Sequence, residues 1–205
     1  MISLLAILEG FIHFPWGLLL LIPLAIYLLS GRGGQYCHSL CLSRIWLLFL
    51  LFILLAGAFF MPGFRMGGRR VFFNIGVLFG LVGPSIYWLS KGPLAHSLCA
   101  ILAASILAGL RYLLNIGLFF HLSQYMPLPL YLTLPLSAAF AWLVAGERKQ
   151  AYAALVLGRG AGALALSCLA ATGVVEIGNF AFINETLAAF ALVELFIFIR
   201  RALRN

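Results

Sequence analysis

Residues 94–120 read LAHSLCAILAASILAGLRYLLNIGLFF, and this apolar stretch decides the fold class. It is longer than the ~20 residues that an α-helix needs to cross a bilayer. Its apolar residues come in continuous runs and do not alternate with polar ones, as the strands of a transmembrane barrel do. One full charge, Arg111, lies well inside it. The stretch therefore predicts a membrane-spanning helix with a buried cation.

The composition extends this prediction to the whole chain. Hydrophobic residues make up 64% of it and charged residues only 9%, whereas soluble domains are about 45–50% apolar and about 25% charged. A water-soluble fold of this size could not bury so much apolar surface. We therefore expect an all-α fold, a polytopic transmembrane helical bundle, with residues 1–205 forming a single integral membrane domain.

Apolar runs along the chain indicate about seven spans (six to eight) by the length criterion. The second run, which ends at Pro62 and Gly63, could instead be re-entrant, because the arginine-rich loop after it would otherwise face out. The seven runs are residues 11–29, 45–61, 71–89, 94–120, 128–145, 151–175 and 180–199.

The distribution of Lys and Arg predicts the orientation, because cytoplasmic loops are enriched in these residues. With the C-terminal tail in the cytoplasm, seven spans place the N-terminus outside and put Arg32, Arg44, Lys91, Arg148 and Lys149 inside. The expected location is a cell membrane, the inner membrane of a bacterium. One loop breaks the rule, since Arg65, Arg69 and Arg70 would face out.

The net charge of +8 does not indicate nucleic acid as a partner, because the cations sit mainly between apolar runs. Cations in those positions anchor helix ends at anionic headgroups, so membrane lipids are the expected partners. No metal or cofactor is expected. Cys37, His38 and Cys41 have metal-ligand spacing, but no second cluster completes a closed site. The chain has no Asp, which disfavours phosphotransfer through paired Asp and Mg²⁺.

Arg111 predicts an intramembrane polar site. A charge at this depth costs at least ~2.5–3.5 kcal/mol if it faces lipid. At about 100° per residue, Ser97, Ala104, Ala108 and Asn115 share its helix face, so that face should meet protein or a water-filled cavity. Glu176 and Glu185 flank the last outer loop, and we expect one of them to pair with Arg111. The pair is either purely architectural or part of a binding site.

Two other charges inside apolar runs have simpler interpretations. Arg159 is expected to extend its side chain to the cytoplasmic surface. Glu194 lies nine residues after Glu185, on the opposite helix face and nearer the cytoplasm. We expect it to pair with Arg200, Arg201 or another cation of the tail.

Arg65, Arg69 and Arg70 form the outer basic cluster. The guanidinium group binds phosphate through its planar fork, and Gly67 and Gly68 allow the chain to turn tightly beside them. We expect these side chains to contact anionic headgroups or a phosphate-bearing ligand. Simple anchoring at the interface is the alternative.

Small residues recur at four-residue spacing, which lets helix backbones approach closely. Gly76 and Gly80 form one G-x-x-x-G pattern, Gly158 and Gly162 form another, and Ala100, Ala104 and Ala108 repeat likewise. Packing inside the bundle is the favoured interpretation, and a dimer interface is the alternative.

These features predict a small transporter or the membrane-embedded subunit of a larger complex, with possible partner membrane subunits. The candidate substrate-binding residues are Arg111, Asn115, Glu176, Glu185, Arg65, Arg69 and Arg70. The alternative is a membrane-embedded enzyme acting on a lipid or lipid-linked phosphate, with Glu176 or Glu185 as acid or base. Whether the chain is an enzyme stays open, since it carries no motif that identifies catalytic residues.

Overall fold

The computed structural model describes residues 16–66, 68–116, 128–169 and 174–203 and is mostly helical. The short helical segment Ile75–Val77 continues through a π-helical stretch, Leu78–Val82, directly into the helix Gly83–Lys91. The helices are α1 (Trp16–Leu19), α2 (Leu21–Leu29), α3 (Gly34–Ser39), α4 (Arg44–Gly57), α5 (Ile75–Val77), α6 (Gly83–Lys91), α7 (Leu94–Ile116), α8 (Leu128–Ala145), α9 (Arg148–Leu169) and α10 (Phe180–Ala202).

Three helical stretches are long and apolar enough to cross a membrane, by length and composition: Leu94–Leu113, Arg148–Cys168 and Phe180–Ala202. Many large apolar side chains on the helices are exposed, including Leu94, Leu98 and Leu102 on α7, as expected of surfaces that face lipid. The other apolar helices are shorter within the described residues: Gly17–Leu29, Arg44–Gly57, Ile75–Lys91 and Thr133–Ala145. Each of these lies largely within one of the predicted spans.

A small three-stranded sheet interrupts the helices and corrects the all-α prediction. It consists of β1 (Gly63–Met66), β2 (Arg69–Phe73) and β3 (Val174–Ile177), in the order β1-β2-β3. β1 and β2 form an antiparallel hairpin, whereas β2 pairs in parallel with β3 from the far end of the chain. Hydropathy predicts these residues to be loops and span ends, because the strands are short and one pairing is non-local.

Polar caps set helix ends that the apolar runs did not show. The predicted third span began at Val71, but the chain stays extended to Phe73 and becomes helical at Ile75. Asn74 marks the change: its Oδ1 accepts a hydrogen bond from Val77 N at 3.0 Å, and its Nδ2 donates to Ala58 O at 2.6 Å. Asn179 caps α10 in the same way, accepting from Phe182 N at 3.0 Å.

Glycines lie where the helices approach most closely. A Cβ on Gly158 would lie 2.7 Å from Ala104 O, and one on Gly76 would lie 2.7 Å from Ala58 N. Gly162 packs against the Arg111 side chain: a Cβ on Gly162 would lie 3.1 Å from Cβ of Arg111. Both G-x-x-x-G patterns therefore serve packing inside the chain, as predicted.

The bundle has two chemically distinct ends. At the basic end, Arg148 Nη1 donates to Ser39 Oγ at 2.5 Å, and Lys149 Nζ lies 3.3 Å from Cys41 Sγ. Lys91 and Arg200 lie at this end too, since α6 ends beside Gln150 and Arg200 stacks over Trp142. The sheet lies at the opposite end, the sheet end, where the C-terminus of α9 meets the start of α10.

Candidate functional site

Three charged side chains meet between α7, α9 and α10 and form what we call the central triad: Arg111, Arg159 and Glu185. Arg111 Nη1 lies 3.0 Å from Glu185 Oε2, and Arg159 Nη2 donates to the same oxygen. Arg159 and Glu185 are buried, with side chains only 8% and 9% exposed, whereas Arg111 is 25% exposed. One carboxylate therefore joins two guanidinium groups, and Arg111 is the member nearest the surface.

Helix geometry brings the triad together. Arg111 lies in the last third of α7, Arg159 near the middle of α9 and Glu185 in the second turn of α10. The absence of a side chain at Gly158 and Gly162 lets α9 approach α7 closely enough for the two arginines to share a partner. Ser137 on α8 completes the surroundings, 3.4 Å from Arg159 Nη1.

Among the described residues, one carboxylate, that of Glu185, contacts the guanidinium groups of both Arg111 and Arg159. Arg159 Nε is buried and meets no acceptor among the described residues, and neither does the hydroxyl of Thr186, the residue after Glu185. Arg159 Nε is therefore a spare donor beside Glu185 inside the bundle, as an anion-binding site requires.

The predicted pairing of Arg111 with Glu185 is confirmed, and the prediction for Arg159 is wrong. Its side chain does not extend to the cytoplasmic surface but turns inward to Glu185. Arg159 lies eleven residues after Arg148, about 16 Å along the helix at ~1.5 Å per residue, which is too far to reach the basic end. The sequence did show a cation in an apolar run, and that signal identifies Arg159 as well as Arg111.

The other proposed partners lie apart from the triad. Glu176 is exposed on β3, opposite Phe72 of β2. Asn115 lies in the last turns of α7, and its side chain is outside the part of the chain that the structure describes.

The three arginines of the outer basic cluster lie on the β1–β2 hairpin. Arg65 and Arg70 are paired directly across the two strands and both are exposed. Like charges at this position repel each other, so an anion between them would stabilise the hairpin. Arg69 points to the other face of the sheet, where its Nη1 donates to Cys168 O at the end of α9. Cations are favoured at a helix C-terminus, so Arg69 also fixes the sheet to the bundle.

A second buried polar group lies at the basic end and corrects the expectation for Glu194. Among the described residues its ion-pair partner is Arg148, and neither Arg200 nor Arg201: Arg148 Nε lies 2.8 Å from Oε1 and Nη2 lies 2.9 Å from Oε2. Tyr152 also donates to Glu194, and its hydroxyl lies 3.4 Å from that of Tyr36. Burial, with the nearby Glu194 charge, raises the pKa of Tyr36 to about 12, so this phenol stays neutral at physiological pH.

Among the described residues, no group of three His, Cys, Asp or Glu side chains could hold a metal ion. Comparison with protein-family models, with curated proteins and with solved structures finds no match to this chain. The features of the molecule that bear on its function are therefore the central triad, the hairpin and the polar group at the basic end.

Proposed function

We propose that this protein is a small polytopic membrane protein of about seven spans that binds an anionic substrate at the central triad and transports it. The observation that supports this most is the sharing of one carboxylate, Glu185, by two arginines inside the bundle. An incoming carboxylate or phosphate would find guanidinium donors already oriented, and protein would shield it from lipid.

Arg111 is the member of the triad that would take the substrate. It is the more exposed of the two arginines, and Glu185 keeps Arg159 as a partner when Arg111 turns away. Exchange of one Arg111 contact for another costs less than exposing an unpaired charge. The site can therefore load and unload an anion without leaving Glu185 unpaired.

Binding can be tested before the substrate is known, with inorganic phosphate and acetate as probes. A ligand that binds only the folded protein at about 100 times its Kd stabilises it by about 2.7 kcal/mol. We expect one of the two anions to raise the melting temperature of the wild-type protein and Arg111→Gln to lose that response. Arg44→Gln is the matched control, because Arg44 is an exposed cation at the basic end that contacts Leu29 O. An equal response in both variants would refute the site.

A membrane-embedded subunit of a larger complex is the other version of this proposal. The small-residue faces are used within the chain, so a partner would contact the exposed apolar helix faces. An obligate subunit should co-purify with its partner and degrade when expressed alone. A transporter should be stable and monodisperse alone.

The proposed orientation gives a further expected result. Because Arg148, Lys149, Arg200 and Arg201 cluster at the basic end, that end should be cytoplasmic. A reporter active only in the cytoplasm should work when fused after residue 205 and fail when fused before residue 1. Activity at both termini would mean an even number of spans.

The sheet supports a second candidate, an enzyme acting on a lipid or lipid-linked phosphate. Arg65 and Arg70 lie on one face of the sheet, as does Glu176, since side chains two residues apart share a face. An apolar cavity of about 500 Å³ lies against the other face, lined in part by Phe64, Val71 and Leu164. A phosphate could bind at the arginines, an apolar chain in the cavity, and Glu176 could act as acid or base.

Neutralising Arg65, Arg69 and Arg70 to glutamine tests this candidate. We expect the triple variant to retain one phosphate-bearing lipid fewer than the wild type after purification, because the guanidinium groups are the hairpin's phosphate donors. Neutralising Arg32, Arg44 and Lys91 at the basic end removes the same charge and should leave that retention unchanged. If the hairpin variant changes only the membrane topology, the arginines are anchors.

A further inference from the structure

A cavity of about 550 Å³ at the basic end is separate from both sites above. It runs along α10 from Leu187 to Arg201, and α2 and α3 close its other side. Its volume lies within the range of ligand pockets, about 300–1,000 Å³. Since ~1.5 Å separates successive helical residues, the cavity extends about 20 Å along the helix, from the middle of the bundle to the basic end.

The two ends of this cavity differ in chemistry. Near the basic end its wall carries Arg148, Glu194, Arg201, Tyr36 and Gln35. Glu194 neutralises Arg148, so Arg201 gives the described lining residues at this end one net positive charge. Tyr36 and Gln35 add neutral hydrogen-bonding groups. This end suits an anionic, hydrogen-bonding group.

Toward the middle of the bundle the wall is apolar, with Leu21, Leu24, Leu187, Phe190 and Ala191. Polar groups are thus confined to the end where a bilayer has its headgroups, and apolar groups lie at the depth of the acyl chains. Leu20, Tyr27 and Phe198 at the margin are exposed, so the cavity opens sideways between α2 and α10.

We propose that this cavity binds one membrane lipid with an anionic headgroup. The headgroup lies beside Arg201 and Arg148, and an acyl chain lies along Leu187, Phe190 and Ala191. The polarity of the cavity matches that of a lipid along the membrane normal, and its net charge matches an acidic headgroup. A free anion would leave the apolar half unfilled, and a zwitterionic lipid would bring its own cation and so leave the net positive charge of this end uncompensated.

Native mass spectrometry of the full chain in detergent, with added dioleoylphosphatidylglycerol or dioleoylphosphatidylcholine, tests the proposal. We expect one phosphatidylglycerol to be retained in preference to phosphatidylcholine. Loss of a charge-assisted hydrogen bond weakens binding about tenfold, so Arg201→Gln should reduce retention of phosphatidylglycerol by about that factor. Ala191→Phe should abolish retention of either lipid, because its ring fills the apolar half of the cavity.

Neighbouring residues provide matched controls. Arg200 carries the same charge one position earlier, but it stacks over Trp142 and lines a different cavity. Arg200→Gln should therefore leave lipid retention unchanged, as should Ala202→Phe on the exposed end of α10. Equal losses in the Arg200 and Arg201 variants would show general surface attraction and overturn the proposal. So would equal retention of the two lipids, binding of inorganic phosphate in place of lipid, or a wild-type chain that retains no lipid.

Discussion

Glu185→Gln is expected to lower the free energy of unfolding by about 3–5 kcal/mol, the cost of removing one partner from a buried ion pair. The effect should be large because this carboxylate contacts both Arg111 and Arg159 inside the bundle. Glutamine keeps the size of the side chain and removes only its charge. Denaturation of the purified protein in detergent, followed by circular dichroism, measures the loss.

The shared carboxylate also predicts the order of the single variants. Arg159→Leu should cost less than Glu185→Gln, because Arg111 remains beside the carboxylate. Arg111→Leu should cost least, because it is the most exposed of the three and leaves the buried Arg159–Glu185 pair intact. A simple Arg111–Glu185 pair would instead make the losses from Arg111→Leu and Glu185→Gln similar, and that result would contradict a three-membered site.

Rescue distinguishes architecture from function. Glu185→Gln should not be rescued by Arg111→Leu alone, because Arg159 stays charged and buried. Adding Arg159→Leu should recover much of the lost stability, since apolar replacement of a whole buried ion group is often neutral or stabilising. If this uncharged triple variant is stable but no longer responds to phosphate or acetate, the triad is part of the binding site. A stable variant with the wild-type response would make the triad purely architectural.

Gly158→Val is expected to cost about 3 kcal/mol, at the upper end of the usual range for overpacking. A Cβ at this position would lie 2.7 Å from Ala104 O and 2.9 Å from Leu107 Cβ. The first neighbour is backbone, so no side-chain rotation can relieve the contact. The α7–α9 spacing must increase, and this also moves Arg111 away from Glu185. The same detergent denaturation measures the effect.

Gly109→Val is the matched control, because Gly109 lies on α7 and, outside its own stretch of helix, no atom of the described residues comes within 4 Å of its Cβ position. Valine forms helix slightly better than glycine, so this variant should change stability by less than about 0.5 kcal/mol, as is usual at surface positions. Equal losses at positions 109 and 158 would mean that the change of residue type, and not the helix contact, causes the effect.

The Arg111–Glu185 pair was predictable because a charge inside an apolar run must face protein or a water-filled cavity, and not lipid. The charges of Arg111 and Glu185 therefore had to face inward. The chain has few glutamates, which limited the choice of a partner for Arg111. The part played by Arg159 was missed, because its distance from the surface depends on where α9 begins. That start, Arg148, follows a turn at Gly146 with φ of +73°, which hydropathy does not reveal.

The sheet was not predictable, because its stability depends on a non-local pairing. Val174–Ile177 is too short to stand out in the sequence, and the described helices α5 to α9 separate it along the chain from its partner strand. The sequence of the hairpin predicts a basic loop, because Arg65, Arg69 and Arg70 dominate its composition. The cavity at the basic end could not be predicted from the sequence either, because its lining comes from three segments that are far apart along the chain.

The parallel pairing of β2 with β3 has a consequence for biogenesis. The ribosome makes β2 before α7, α8 and α9, and it makes β3 only after them. Until then the hydrogen-bonding edge of β2 that later meets β3 has no strand to pair with, and open strand edges attract other chains. This strand edge therefore stays unpaired while about half of the chain is made, and a nascent chain that stops before residue 174 should be a target for cellular quality control.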